Sequence, residues 1–168
     1  MQLKNCCAKI IKMTTNDKWV IFDLDGTLAN IDARRKLATK PNGKLDWDIF
    51  FDPENIKLDQ PNHAVIKMAQ ILAESGHMIA IFSGRSKGTQ FSTKSWLNRH
   101  NVPYHVIKMR PTGRDWIFKP DDQLKQNWLD DLFPDKSKIV CVFDDRNKVV
   151  DMWRKNDLTC MQVAPGNF

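Results

Sequence analysis

Three short polar clusters in the sequence carry side chains that could do chemistry. The first is Asp23-Leu24-Asp25-Gly26-Thr27. Two carboxylates at i and i+2 leave an extended strand on the same side, so both can address one small volume. Like charges that close are costly unless a cation neutralises them or one carboxyl holds a proton. Gly26 lets the backbone turn sharply beside them. The plainer alternative is an acidic turn after a strand, because Asp-x-Asp alone is a weak motif. The second cluster is Ser83-Gly84-Arg85. Its hydroxyl, open backbone and planar guanidinium suit a phosphate, although Ser-Gly is also an ordinary loop pair. The third is Asp144-Asp145-Arg146. Paired acids suit a hard, oxygen-seeking cation such as Mg2+, and they also suit the N-terminus of a helix. A fourth feature is Lys125, four residues after Asp121. That spacing is as compatible with a surface ion pair as with a role in chemistry.

Such groups work together only if the chain brings them together. Lys18–Phe22 reads as a buried strand, and Met78–Phe82, Tyr104–Lys108, Lys138–Phe143 and Thr159–Val163 read as four more. Helices are expected between them. One opens at Pro61, with Val65, Met68, Ala69 and Leu72 on one face and Gly76 as its stop. A second passes through Trp96 and Leu97 and ends near Asn101 and Pro103. A third starts at Asp121 or Asp122 and turns Leu124, Trp128, Leu129 and Leu132 inward before Pro134. A fourth spans Asn147–Lys155, with Val149, Val150, Met152 or Trp153 inside. This alternation predicts an α/β fold, a parallel sheet with helices on both faces. In such sheets ligands bind beyond the carboxyl ends of the strands, where all three polar clusters begin. Residues 28–60 lack this pattern and contain Pro41-Asn42-Gly43 and Asp52-Pro53 turns. They are expected to form a small cap or loop insertion, with a short helix around Asp32–Leu37. Residues 1–15 read as a lead-in to a single domain over 16–168.

The composition narrows the function. A chain of 168 residues, 42% hydrophobic and 27% charged, suits one globular domain. The longest clearly apolar run, Met78–Phe82, is far too short to span a bilayer, and the start of the chain lacks a signal-peptide pattern. The four cysteines, Cys6, Cys7, Cys141 and Cys160, show no zinc-finger spacing. They are expected to be free thiols in a reducing cytoplasm. The net charge of +6 is uneven, since residues 61–120 hold nine basic and two acidic side chains. The bland alternative is a solvated basic surface. The functional one is an anionic substrate, with the acids at the two ends of the chain gathered for a metal.

Asp23-x-Asp25-Gly26-Thr27, then Ser83, a Lys and the Asp144-Asp145 pair together resemble the haloacid dehalogenase superfamily of phosphohydrolases. A closer resemblance covers most of residues 18–168. The runs Phe143–Arg154, Gln162–Phe168 and Ser83–Thr89, with Arg34 and the Asp121/Lys125 pair, are similar to the 3′-phosphatase domain of phage polynucleotide kinase/phosphatases. The sequence holds no Gly-x-x-x-x-Gly-Lys-Ser/Thr loop for a kinase half, and residues 36–60 do not match. Met109–Arg114 with Pro120-Asp121-Asp122 looks more like stand-alone phosphatases of the family.

The resemblance implies a Rossmann-like fold and a set of roles. Asp23 would be the nucleophile and Asp25 the general acid and base. Mg2+ would bind Asp23, the main-chain carbonyl of Asp25, and Asp144 or Asp145. Ser83, beside Gly84, and Lys125 would hold the phosphoryl oxygens, and Arg85 and Arg34 the substrate or phosphate. Thr27 would support the first motif, and Asp121 would orient Lys125. The expected function is removal of a terminal, 3′, phosphate from a nucleic acid end or a nucleotide. The alternatives are a phosphatase for free mononucleotides or other small phosphate esters, and a non-catalytic nucleic-acid-binding module. Four carboxylates facing a polyanion speak against the last.

Overall fold

The structure, a computed structural model, describes residues 17–166. The expected lead-in, and with it Cys6 and Cys7, lies outside these residues. Strand β1 (Trp19–Phe22) is buried along its whole length. Residues 29–61 then form β2 (Ala29–Asn30), α1 (Asp32–Ala38), α2 (Trp47–Phe50), α3 (Pro53–Ile56) and β3 (Gln60–Pro61). Strands β2 and β3 pair antiparallel and bring the two ends of this segment together. Helix α4 (His63–Glu74), strand β4 (Met78–Ser86), helix α5 (Gln90–Arg99) and strand β5 (Val106–Arg110) follow. A short helix α6 (Arg114–Ile117) and the long α7 (Asp121–Leu132) lead to β6 (Ile139–Asp144), α8 (Asn147–Lys155) and β7 (Cys160–Gln162).

The five long-range strands make one sheet in the order β5-β4-β1-β6-β7, every pair parallel. Successive side chains of a strand point to opposite faces, and β1 shows what each face holds. Val20 and Phe22 pack with Val65, Ile66 and Ala69 of α4, Trp96 and Leu97 of α5, and Ile31, Ala38 and Phe50 of the 29–61 segment. Trp19 and Ile21 pack with Leu124, Trp128 and Leu129 of α7 and with Val149, Val150, Met152 and Trp153 of α8. The α/β fold expected from the alternation is therefore present, with helices on both faces. Cys141 and Cys160 are buried free thiols. Among the described residues no helix is long and apolar enough to cross a membrane.

Two local expectations need correction. Met68 was expected on the inner face of α4, but it is 43% exposed, and Ile66 takes the buried place beside Val65 and Ala69. The buried face of α4 is centred on 65, 66 and 69, which leaves position 68 on its outer side. Strand β4 does not stop at Phe82 but continues to Ser86. The Ser83-Gly84-Arg85 motif thus lies within the strand, where its register with β5 shifts between Ser83 and Ser86.

The turn after β1 fixes the geometry of that end of the sheet. The Asp23 N–H donates to the Phe143 carbonyl at 2.8 Å, locking the end of β1 to β6. Gly26 has φ +92°, and a Cβ there would overlap the carboxylate of Asp145. Gly26→Ala should therefore destabilise the fold by about 1–3 kcal/mol, the range for a non-glycine residue held in the left-handed region. Urea unfolding should show a lower midpoint at an unchanged slope. A wild-type midpoint would mean that the turn relaxes without cost.

Candidate active site

Asp23 sits just past β1, Asp144 ends β6, and Asp145 follows it. Carboxylate oxygens of the three lie within 4.8 Å of one another, and all three residues are buried. Asp144 is fully engaged. Its Oδ1 accepts the N–H groups of Asp145 at 3.0 Å and Arg146 at 3.2 Å. Its Oδ2 accepts Lys125 Nζ at 2.8 Å and Trp153 Nε1 at 3.1 Å. Lys125 also donates to Asp23 Oδ1 at 2.5 Å. The other oxygen of Asp23, Oδ2, is buried and has no hydrogen-bond partner among the described residues.

Burial pushes Asp23 well above the usual carboxylate range; Lys125 pulls it down, and Asp144 and Asp145 push it up again. Asp145 is raised to about 6 by burial and by the charge of Asp144. Burial alone would lower Lys125, but Asp144 and Asp23 outweigh it and raise the ammonium above its usual range. Three buried carboxylates this close together, with Asp23 and Asp145 raised by burial and by the neighbouring acids, fit a hard divalent cation.

Asp25 is in a different environment. Its Oδ1 accepts Arg34 Nη2 at 2.8 Å, Arg85 Nε at 2.8 Å, and Arg85 Nη2 as well. Burial would raise this carboxyl, but Arg85 and Arg34 together outweigh it and hold Asp25 below its usual range. Both guanidinium groups are fully buried. Arg34 makes a two-pronged bond to Asp59, Nε to Oδ1 at 2.9 Å and Nη2 to Oδ2 at 3.0 Å. It also lies 4.3 Å from the centre of the Phe50 ring and donates to the Phe50 carbonyl at 3.0 Å. Arg85 reaches Asp59 Oδ2 at 2.6 Å and Thr93 Oγ1 at 3.3 Å. In this structure Arg34 and Arg85, which were expected to hold substrate or phosphate, direct their donors to Asp25, Asp59, the Phe50 carbonyl and Thr93 Oγ1.

Asp121 departs from expectation in the same way. It was expected to orient Lys125, yet its carboxylate accepts Arg110 and Arg146 instead. Lys125 lies on the buried face of α7, next to Leu124, and points at the acids of β1 and β6, away from the first turn of its own helix. Arg110 donates from Nε to the Gly84 carbonyl at 3.0 Å and from Nη1 to the carbonyls of Trp116 and Lys119, both at 2.6 Å. Asp121 passes so close to Gly84 that a Cβ there would lie 2.8 Å from its Oδ1. The glycine beside Ser83 is thus a packing requirement. Ser83 is buried, and its Oγ accepts the Arg85 N–H at 3.2 Å. Thr27 is buried too, with its Oγ1 unpartnered among the described residues.

The sequence reading missed Asp59 and the polar role of Trp153. A fully buried arginine such as Arg34 requires an acid, but nothing in the sequence says which one. Trp153 was legible only as a core side chain, although a buried indole N–H generally finds an acceptor.

The model for the family "Polynucleotide kinase PNKP phosphatase domain" matches residues 17–168. A candidate bifunctional polynucleotide kinase/RNA ligase of Autographa californica nuclear polyhedrosis virus is 30% identical over 141 residues, which cover 80% of this chain and 17% of that protein. A solved Pnkp1/Rnl/Hen1 complex contains a chain 26% identical, with a TM-score of 0.72 over 99% of this chain and 53% of that one. The present chain therefore spans about half or less of these relatives. The class C acid phosphatase of Bacillus anthracis, 13% identical over 92% of this chain and 68% of its own, has the same fold at a TM-score of 0.61. The acids that meet at the ends of β1 and β6 and the family match over nearly the whole chain lead to one conclusion: this protein belongs to the polynucleotide kinase phosphatase-domain family and is a phosphomonoesterase of the haloacid dehalogenase fold.

Proposed function

We propose that the protein removes a terminal 3′ phosphate from nucleic acid through a phosphoenzyme on Asp23. The observation that carries the mechanism is the asymmetry of Asp23. Lys125 fixes one oxygen, while the other is buried and uncommitted. In the first step Asp23 Oδ2 attacks phosphorus, and the P–O bond to the sugar breaks. Asp25 gives the departing oxygen its proton. In the second step Asp25 takes a proton from water, whose oxygen attacks phosphorus and frees Asp23. Lys125, with Ser83, balances charge on the phosphoryl oxygens.

The site fits Mg2+, held by Asp23, Asp144 or Asp145 and the main-chain carbonyl of Asp25. When bound it supplies charge neutralisation between carboxylate and phosphate. The two arginines keep Asp25 ionised at neutral pH in the free enzyme. The form that acts on water is therefore the resting one. The proton for the leaving oxygen enters as the phosphate brings negative charge beside Asp25.

Nucleic acid is favoured over small esters by what surrounds this end of the sheet. Phe91, at the start of α5, is 87% exposed, and Phe118, in the segment after β5, is 86% exposed. Both follow the carboxyl ends of adjacent strands, with exposed Lys87 four residues before the first and half-buried Lys119 next in sequence to the second. Exposed aromatic rings and cations together suit stacked bases on a charged backbone. Arg85 and Arg110, both in the basic 61–120 stretch, are engaged internally and add nothing to that surface. The small-ester reading rests on the family fold alone.

Three measurements test this proposal. Asp23→Asn should lose at least about 10³-fold in kcat, as expected for a lost nucleophile, with its unfolding midpoint retained. Near-normal turnover would exclude the covalent route. Asp25→Asn should lose far more on a sugar phosphate than on an aryl phosphate, whose leaving group needs little acid help; equal losses would remove the acid role. A 3′-phosphorylated oligonucleotide should exceed the matching 3′-mononucleotide in kcat/KM. That advantage should fall with a salt slope of roughly −0.7 per extra phosphate contacted. Equal kcat/KM at low salt, with matching salt dependence, would assign the enzyme to small esters.

A further inference from the structure

Asp59 lies in the 29–61 segment, outside the three motifs. Its side chain is fully buried, and its partners are the two arginines that hold Asp25. Its backbone is fixed independently of them. The Asp59 carbonyl accepts Trp96 Nε1 of α5 at 2.9 Å, and its N–H donates to the Ile56 carbonyl at 3.3 Å. The carboxylate is therefore a rigid anchor.

The anchor has a geometric consequence. Arg34 spends both nitrogens of one edge, Nε and Nη2, on Asp59, which sets the plane of its guanidinium. Nη2 is shared with Asp25 Oδ1. Arg85 divides its Nη2 the same way, between Asp59 Oδ2 and Asp25 Oδ1. All three guanidinium contacts on Asp25 fall on Oδ1, and none falls on Oδ2. One oxygen of Asp25 is tethered and the other is left for a proton.

There is also a consequence in charge. Two guanidinium cations share this small buried volume. With Asp25 alone they carry an excess positive charge, and with Asp59 the four groups balance. Without Asp59, the guanidinium nitrogens now shared with it would be free to take up the second oxygen of Asp25.

We infer that Asp59 is a positioning residue for the acid–base chemistry of Asp25: through Arg34 and Arg85 it dedicates one carboxylate oxygen to anchoring and leaves the other for proton transfer. This inference rests on the acid–base role proposed above for Asp25. It adds to the site a residue from a segment that the motifs do not reach.

The test compares leaving groups. Asp59→Asn should lower kcat on a 3′-phosphorylated oligonucleotide by at least about tenfold, out of the roughly 10²–10⁴-fold that acid–base catalysis supplies. The loss on an aryl phosphate should be several-fold smaller, with KM for either substrate changed less than twofold. Asp25→Asn/Asp59→Asn should be no slower on the oligonucleotide than Asp25→Asn alone, because the two residues act as a unit. Equal losses on both substrates, or additive losses in the double variant, would reduce Asp59 to a structural role. If Asp59→Asn does not fold, Arg34→Gln/Asp59→Asn keeps one cation against one carboxylate and carries the same comparison. Should Asp25→Asn itself show no leaving-group dependence, the proposed role of Asp25 fails. Should Asp25→Asn show it and Asp59→Asn not, only the present inference fails.

Discussion

Three buried carboxylates at the ends of two adjacent strands repel one another, and a single ammonium ties two of them together. Lys125 bridges Asp23 and Asp144 at 2.5 and 2.8 Å. Everything around that bridge serves to bring it there. Helix α7 turns Leu124, Trp128 and Leu129 against one face of the sheet, and Lys125 rides on that same buried face. Trp153 of α8 closes over Asp144 from the same side and supplies another donor. Breaking one partner out of a buried ionic cluster strands the others in a medium that solvates charge poorly. The geometry of the acids and the packing of α7 and α8 therefore stand or fall together.

Two residues further along the chain the balance reverses. Asp23 is raised by burial among other acids, whereas Asp25 is lowered because Arg85 and Arg34 outweigh its burial. Two nearby carboxylates pushed in opposite directions are suited to different work, as the roles proposed above for Asp23 and Asp25 require. The turn after β1 makes this possible: Asp23 meets the groups of β6 and α7, and Asp25, two residues on, meets those of β4 and the 29–61 segment. A divalent cation would complete the first environment by ionising Asp23, and it would leave the arginines around Asp25 untouched.

The sheet was legible because each strand is a short apolar run and each helix shows an apolar stripe, so the order of elements follows from periodicity alone. The convergence of Asp23, Asp144 and Asp145 was legible because they stand at the carboxyl ends of strands, whereas the place of Lys125 among them was implied only by the family resemblance. Partner choice was not legible. The i, i+4 spacing of Asp121 and Lys125 points to a local pair, but spacing says nothing about which face of α7 is buried tightly enough to turn a lysine inward. Arg34 and Arg85 are two charges whose acids lie 25 and 26 residues away in a stretch without periodicity. Their burial appears only once the helices have packed. In Trp153 the ring predicts the core, and only the tertiary fold shows what its N–H meets.

The 29–61 segment is a wall of the site as much as a cover for it. Phe50 and Ile56 are buried, Phe50 belongs to the core shared with β1 and α4, and its ring and carbonyl both contact Arg34. The short β2–β3 pair ties the base of the segment to the start of α4. Swinging this segment away as a free lid would break the Arg34 bonds to Asp25 and the Asp59 bonds to Arg85 together, leaving Arg85 alone against Asp25. Asp25 is therefore coupled to the seating of the segment, whereas the cluster of Asp23, Asp144 and Lys125 is built entirely from the sheet and the helices on its other face. Variation in the segment can then alter the surroundings of Asp25 while Asp23 keeps its place.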